Sequence, residues 1–198
     1  MKLIRKLGTA LSFATMAAIF FVGFTEISRA RAEQAQMKLD AERVELEIEA
    51  QRIVAEIGEA QLQCLAKNIF FEARSEGISG QVAVAWVTLN RVNAENYPDS
   101  ICGVVHQGRK DASGNMIRNK CQFSWYCDGK GDTIPSNSIA QKAWSNAQMV
   151  AHVVLLDWAR GRSGTVHGAT MYHANYVNPK WTKAYDRVAV VGNHIFYR

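Results

Sequence analysis

The stretch Gln81–Val92 constrains the fold of this chain more than any other. Val82, Val84, Ala85, Val87, Leu89 and Val92 make it apolar nearly all round. A helix with that distribution has no face to offer water, so it must run through the centre of a core. Ser79 stands where a cap for it is expected. A second helical pattern precedes it from Gln61 to about Glu76, with Leu62, Leu65, Ile69 and Ala73 along one face and Gly77 and Gly80 breaking it. Beyond Val92, Tyr97-Pro98-Asp99 reads as a turn, and Asp99 or Ser100 can cap a short helix through Val105. Residues 106–135 read as irregular. Ser136 or Ser138 can cap a long helix ending near Ala159, Ala169–His173 reads as a short strand, and Arg187–Val191 with His194–Tyr197 reads as a hairpin turning at Gly192-Asn193. The expected class is α+β, mostly helical, with a small antiparallel β-hairpin and a long helix in front.

That front segment divides in two. Lys2, Arg5 and Lys6 precede an uncharged, mostly apolar run from Leu7 to Phe24, and Ala30-Arg31-Ala32 fits a cleavage site. Residues 1–32 are therefore expected to be a signal peptide or an N-terminal membrane anchor, the run being at the lower edge for a spanning helix. The rest of the chain is expected outside the cytoplasm, in a periplasm or cell envelope. Residues 33–60 read as an acidic helix with a balance of −5, in which Leu39, Leu46, Ile53 and Ala60 repeat every seven residues and Ala50 and Ile57 fill intermediate positions. One reading is a coiled-coil seam for self-association. The other is a solvated spacer packed on the domain. Residues 61–198, expected as the catalytic domain, carry fifteen basic and nine acidic side chains, a balance of +6. Such a domain suits an anionic partner, of which cell-wall glycans and lipid headgroups are the abundant ones outside the cytoplasm. No basic-aromatic tract tracks a phosphate backbone, so nucleic acid is not expected.

Four cysteines in an exported domain point to disulfides. Cys102, Cys121 and Cys127 share one loop-rich region and are expected to form a bond among themselves, while Cys64 falls on a helix and reads as a buried free thiol. No paired C-x-x-C occurs, and no metal site or cofactor is expected.

The chemistry concentrates in Phe71-Glu72-Ala73-Arg74-Ser75-Glu76-Gly77. Its two carboxylates lie four apart, on one face of a helix. Of the nine carboxylates in residues 61–198, only Glu72 sits in an apolar stretch, behind Ile69, Phe70 and Phe71. Shielding pushes a carboxyl toward its protonated form, which acid-catalysed cleavage of a glycosidic bond needs. Glu72 is therefore the leading general acid. Glu76, nearer the glycine break, is expected to be more solvated and to support Glu72 or hold nearby loops. Two carboxylates on successive turns would lie on the same side of a sugar, which favours a single-carboxylate mechanism, although Asp128 could supply the other face. Sugars bind through aromatic faces and amides. Gln81, Gln122, Phe123, Ser124, Tyr172 and His173, with Glu76, are the candidate substrate-binding residues. Trp125, Tyr176 and Trp181 share that reading. The competing reading makes most of these core or loop anchors.

Glu72-Ala73-Arg74-Ser75-Glu76, Gly80-Gln81-Val82-Ala83-Val84-Ala85 and Leu89-Asn90-Arg91-Val92 together resemble the signature of the SleB/CwlJ-type cell-wall hydrolases, the spore-cortex-lytic family. Tyr97-Pro98, Cys121-Gln122-Phe123-Ser124, Ala169-Thr170-Met171-Tyr172-His173 and His194-Ile195-Phe196-Tyr197 follow in order, so the resemblance covers about residues 62–198. It implies a lysozyme-like, lytic-transglycosylase-related fold acting on peptidoglycan between N-acetylmuramic acid and N-acetylglucosamine. It implies one glutamate, here Glu72, as acid and then base, with the muramyl 6-hydroxyl attacking to leave a 1,6-anhydro end. The N-terminal half departs from the spore members, having the anchor and acidic helix in place of a repeated peptidoglycan-binding module. The alternatives are a cell-wall peptidase or amidase using cysteine and histidine or zinc, with His167, His173 and His194 as candidates, and a non-catalytic glycan-binding envelope protein.

Overall fold

The computed structural model describes the backbone of residues 2–198 and the side chains of residues 24–198. The chain divides into two compact units, Met1–Ile48 and Glu49–Arg198. Helix α1 runs over Lys2–Ile57. In the first unit its described apolar side chains, Leu39, Val44 and Leu46 among them, face solvent. Of the apolar segment Leu7–Phe24, only Phe24 falls among the residues whose side chains are described. Among the described residues no helix is long and apolar enough to cross a membrane.

In the second unit the apolar stretch becomes α3 (Ile78–Val92), and six of its hydrophobic side chains, from Ala83 to Leu89, are buried together with Gly80, Gln81, Thr88 and Arg91. Around it pack α2 (Glu59–Ala73), α4 (Ile101–Val105) and α5 (Ser138–Ala159). Leu65, Ile69 and Phe70 of α2 and Val150, Val154 and Leu155 of α5 complete the core. Gly164 passes so close to Trp86 of α3 that a Cβ there would sit 2.2 Å from the indole. The heptad stripe of the acidic helix is split: Ala50 is buried and Ile57 packs on this core, beside Val54 from outside the stripe, while Leu39 and Leu46 remain exposed. The helix does not reach residue 60, because Gly58 takes φ 84° and starts α2 afresh.

Two small antiparallel sheets complete the unit. Strands β1 (Gly108–Lys110) and β2 (Met116–Cys121) form a hairpin within the region expected to be irregular. Its turn is made by the Asp111 carboxylate, whose Oδ1 accepts from the Ser113 and Asn115 amides at 2.9 Å, and by Gly114 at φ 84°. Short, bilaterally exposed strands carry no alternation, so the pattern did not announce them. The second sheet has the order β3-β5-β4, from Met171–Ala174, His194–Tyr197 and Arg187–Val191. The hairpin at Gly192-Asn193 is present as expected, and β3 adds to its other edge.

Several expectations are corrected. Ser79 lies inside the first turn of α3, which begins after Gly77 without a side-chain cap. Asn137, not Ser136 or Ser138, caps α5, its Oδ1 accepting from the Ala140 amide at 2.9 Å. Ser100 does cap α4. Cys64 is not a free thiol: it is bonded to Cys102, since α2 brings it against the start of α4. Cys121 is bonded to Cys127.

Candidate active site

Glu72 occupies the last turn of α2, half-buried, on the floor of a groove of about 830 Å³. Phe71, Ser124, Trp125, Asp128 and Asp132 are among the residues that line it. The Trp125 ring is stacked on Phe71 at 4.6 Å, and its Nε1 donates to Asn68 Oδ1 at 3.0 Å. Asn68 in turn donates to Thr88 Oγ1 at 3.0 Å, so a chain of buried hydrogen bonds fixes the indole in the groove wall.

Two residues from other elements close on Glu72. Tyr172 of β3 donates its O–H to Glu72 Oε2 at 2.7 Å. Its ring is stacked on Phe196 at 5.6 Å and meets the His194 ring edge-on at 5.2 Å, so the hydroxyl has little freedom. Arg91 of α3 is 3% exposed, with its guanidinium between Phe123 at 4.8 Å and Tyr97 at 5.4 Å and its Nε donating to the Thr170 carbonyl at 2.8 Å. Burial raises the proton affinity of Glu72 above the ordinary carboxylate range, against the smaller opposing pull of the Tyr172 hydrogen bond and the Arg91 charge. Tyr172 is itself pushed well above the usual phenol value by burial and by Glu72, so it remains a donor. The result is a carboxyl biased toward its acid form, one oxygen held by Tyr172, with a buried cation nearby to favour the anion once the proton has left. Such a group can give a proton to a leaving oxygen and take one back.

Glu76 lies beyond the end of α2, so the two carboxylates do not share a helix face, and it is the more exposed of the two, yet it has partners. Its two oxygens accept from the Asn193 backbone amide and the Asn193 Nδ2, each at 3.0 Å, and these bonds hold its proton affinity below the usual value. The carboxylate thus clasps the β4–β5 turn. It fits because Gly192 has no Cβ: one there would sit 2.2 Å from Glu76 Oε2.

The other candidates separate by position. Ser124 lines the groove. Phe123 is buried under Arg91, where an apolar ring belongs to the core. Gln81 is buried and its Nε2 donates to the Glu76 carbonyl at 3.1 Å, so it serves the α2–α3 junction. His173 points to the other side of the sheet, with Nδ1 donating to the Ala174 carbonyl at 2.9 Å and Nε2 accepting from the Tyr197 hydroxyl at 3.0 Å, packed on Trp181. Gln122 faces a different, smaller pocket. Tyr176 is exposed and Trp181 packs on Tyr197 and Tyr185, outside the groove lining. Arg91 and Asp132 were not singled out from sequence. The signal for Arg91 was available, as a lone cation in an otherwise apolar helix. Asp132, with Asp128, reads as a flexible-loop residue; in the groove wall its proton affinity is raised by burial and by the Asp128 charge.

The chain is similar to the spore cortex-lytic enzyme of Bacillus cereus, 28% identical over 135 residues that make up 68% of this chain and 43% of that protein. It is likewise similar to that of Bacillus subtilis, 26% identical over 68% of this chain and 36% of that one. The chain thus spans about two fifths of the length of the curated relatives it matches. Among solved structures, the catalytic domain of the Bacillus cereus SleB protein is 28% identical, covering 70% of this chain and 89% of that one with a TM-score of 0.47. The catalytic domain of the germination-specific lytic transglycosylase SleB from Bacillus anthracis is 27% identical, covering 71% and 96%, with a TM-score of 0.49. The family model described as cell wall hydrolase matches residues 75–197, beginning three positions after Glu72, and by that match the chain belongs to the cell wall hydrolase family.

Proposed function

We propose that this chain cleaves the glycan strand of peptidoglycan between N-acetylmuramic acid and N-acetylglucosamine as a lytic transglycosylase. The observation that carries the reading is the half-buried carboxyl of Glu72, raised in proton affinity and held by Tyr172, in the lining of a groove of about 830 Å³. Glu72 gives its proton to the glycosidic oxygen as the C1–O bond breaks. The resulting carboxylate then accepts the proton of the muramyl 6-hydroxyl as that oxygen bonds to C1, which returns Glu72 to its acid form and leaves a 1,6-anhydro end. The names of the relatives, spore cortex-lytic enzymes and a lytic transglycosylase, support the same chemistry. A cysteine nucleophile is disfavoured, because all four cysteines are paired in disulfides.

Mass spectrometry of a peptidoglycan digest tests this. Anhydro-ended fragments with the parent chain, and none with Glu72→Gln, are expected. Ordinary reducing ends would replace the transglycosylase with a hydrolase, and freed peptide amines would replace both with an amidase. We further propose that residues 1–32 direct the chain to the envelope as a leader or anchor, that residues 61–198 are the catalytic domain, and that the exposed part of the 33–60 helix serves self-association. Membrane fractionation and light scattering with and without residues 1–60 test these points.

A further inference from the structure

Arg91 is a cation in a place where packing alone calls for an apolar side chain. It lies in the last turn of α3 and is buried in the core. Among the described residues no salt bridge involves it. Its Nη1 is sealed from water and has no hydrogen-bond partner. A guanidinium buried without an anion is destabilising, and an apolar side chain of similar volume is often at least as stable in such a place. The ring faces of Phe123 and Tyr97 and the Thr170 carbonyl offset part of that penalty.

What the cation adds is charge behind the Glu72 carboxyl. The titratable groups that act on Arg91 are Glu72 of α2, Tyr97 beyond α3 and Tyr172 of β3. Those that act on Glu72 are Tyr172 and Arg91. Tyr172 in turn feels Glu72 and Arg91, with the His194 ring against its edge. Among the described residues, Arg91 is thus the cation acting on the hydrogen-bonded Glu72–Tyr172 pair. It favours the Glu72 carboxylate where burial favours the acid. The proposed reaction needs both forms: the acid protonates the leaving oxygen, and the carboxylate takes the 6-hydroxyl proton. Arg91 is not in the groove lining, so it can stabilise the anion without meeting the sugar. It also tethers backbone. Its Nε donates to the Thr170 carbonyl at 2.8 Å and the neighbouring Asn90 Nδ2 to the Ala169 carbonyl at 2.9 Å, just ahead of β3 and Tyr172. Charge and tether are separable.

We infer that Arg91 is a positioning residue of the glycan-cleaving reaction, whose charge, set behind Glu72 and Tyr172 and out of reach of the sugar, stabilises the Glu72 carboxylate formed on proton transfer. It rests on the catalytic reading above. Two neutral variants of the full chain test it. In R91Q the amide Nε2 stands as many bonds from the backbone as the guanidinium Nε, so a donor to Thr170 is kept while the charge is lost. R91M loses both. Carbon-13 NMR of the Glu72 carboxyl, assigned by its absence in Glu72→Gln, reads protonation without turnover. Glu72 should titrate about one pH unit above the parent in both variants, the low end for losing an opposite charge nearby. On peptidoglycan, kcat should fall about threefold on the plateau where Glu72 is protonated, and its alkaline limb should move up with the titration, at unchanged KM. If R91Q fails to fold in thermal melts, R91K against R91M makes the same comparison, both lacking the tether and differing in charge, and R91K should titrate nearer the parent. A Glu72 titration at the parent value in R91Q, or alike in R91K and R91M, overturns the charge role and leaves only the tether. A raised KM with the alkaline limb in place overturns it as well, since that marks contact with the sugar. If the parent cleaves no glycan, the catalytic reading fails, while a displaced titration in R91Q still supports the action of Arg91 on Glu72. If the parent cleaves and the titration stays in place, the inference about Arg91 fails alone.

Discussion

Replacing Tyr172 with phenylalanine isolates one bond at the site. The ring keeps its stack on Phe196 and its edge contact with His194, and only the 2.7 Å hydrogen bond to Glu72 Oε2 is lost. A hydrogen bond to a charged group contributes about 1.5–3 kcal/mol. Here it favours the carboxylate, so losing it makes Glu72 a weaker acid and a stronger base. If about half of that energy is expressed when the proton is half-transferred, the barrier to protonating the leaving oxygen rises by about 0.7–1.5 kcal/mol. That is roughly a three- to tenfold fall in kcat where protonation limits the rate. The direction in pH is the sharper readout. Under the proposed mechanism activity needs the protonated form, and Tyr172→Phe raises the proton affinity further, so the alkaline limb of the kcat profile moves to higher pH. Release of anhydro-ended fragments, followed across pH for parent and variant, provides the assay. A limb that stays in place or moves to lower pH would refute the assignment of this bond.

Glu72→Gln should stabilise the fold at neutral pH. The raised proton affinity of Glu72 means that its favourable contribution is complete below the unfolded-state value and is lost as pH rises through the folded one. Thermal melts should therefore show the gain near pH 7 and little of it near pH 3. Asn193→Ala should lower stability by less than about 1 kcal/mol, as for an exposed interaction. Because the clasp lowers the proton affinity of Glu76, this contribution is present above its unfolded-state value and fades as pH falls through the folded one, so the difference between variant and parent melts should shrink in acid. Removing the Cys64–Cys102 bond, which spans 38 residues, should cost about 4 kcal/mol by the chain-entropy relation, read from urea midpoints of C64A/C102A. Gly164→Ala drives a methyl into the Trp86 ring and should cost about 1–3 kcal/mol, seen as a Tm lowered by several degrees.

What the sequence made legible was whatever repeats locally. The apolar surround of Gln81–Val92 announced a central helix, Ser100 announced a cap, and Gly192-Asn193 announced a turn. What stayed hidden depends on partners far along the chain. The apolar setting singled out Glu72 over Glu76, but not their partners: Glu76 is held by Asn193, 117 residues away, and Glu72 by Tyr172, 100 residues away. Cys64 has the surroundings of a core residue, because nothing near it reveals Cys102. Aromatic and amide character alone did not separate Ser124 and Trp125, which line the groove, from His173 and Phe123, which fill the core. The β1–β2 hairpin escaped because its stability comes from a turn side chain and a disulfide rather than from a patterned face.

The sheet order β3-β5-β4 has a consequence for the timing of synthesis. Tyr172 stands on β3, and β3 pairs only with β5. The same strand supplies the Phe196 and His194 rings that fix the phenol, and the turn before it supplies Asn193 to Glu76. A ribosome makes all of these after every α-helix of the domain. A chain released before residue 193 therefore has its helices and its Glu72, but lacks the turn and strand that hold Glu76 and Tyr172. Under the activity proposed here, the phenol that holds Glu72 is fixed only once β5 has been made.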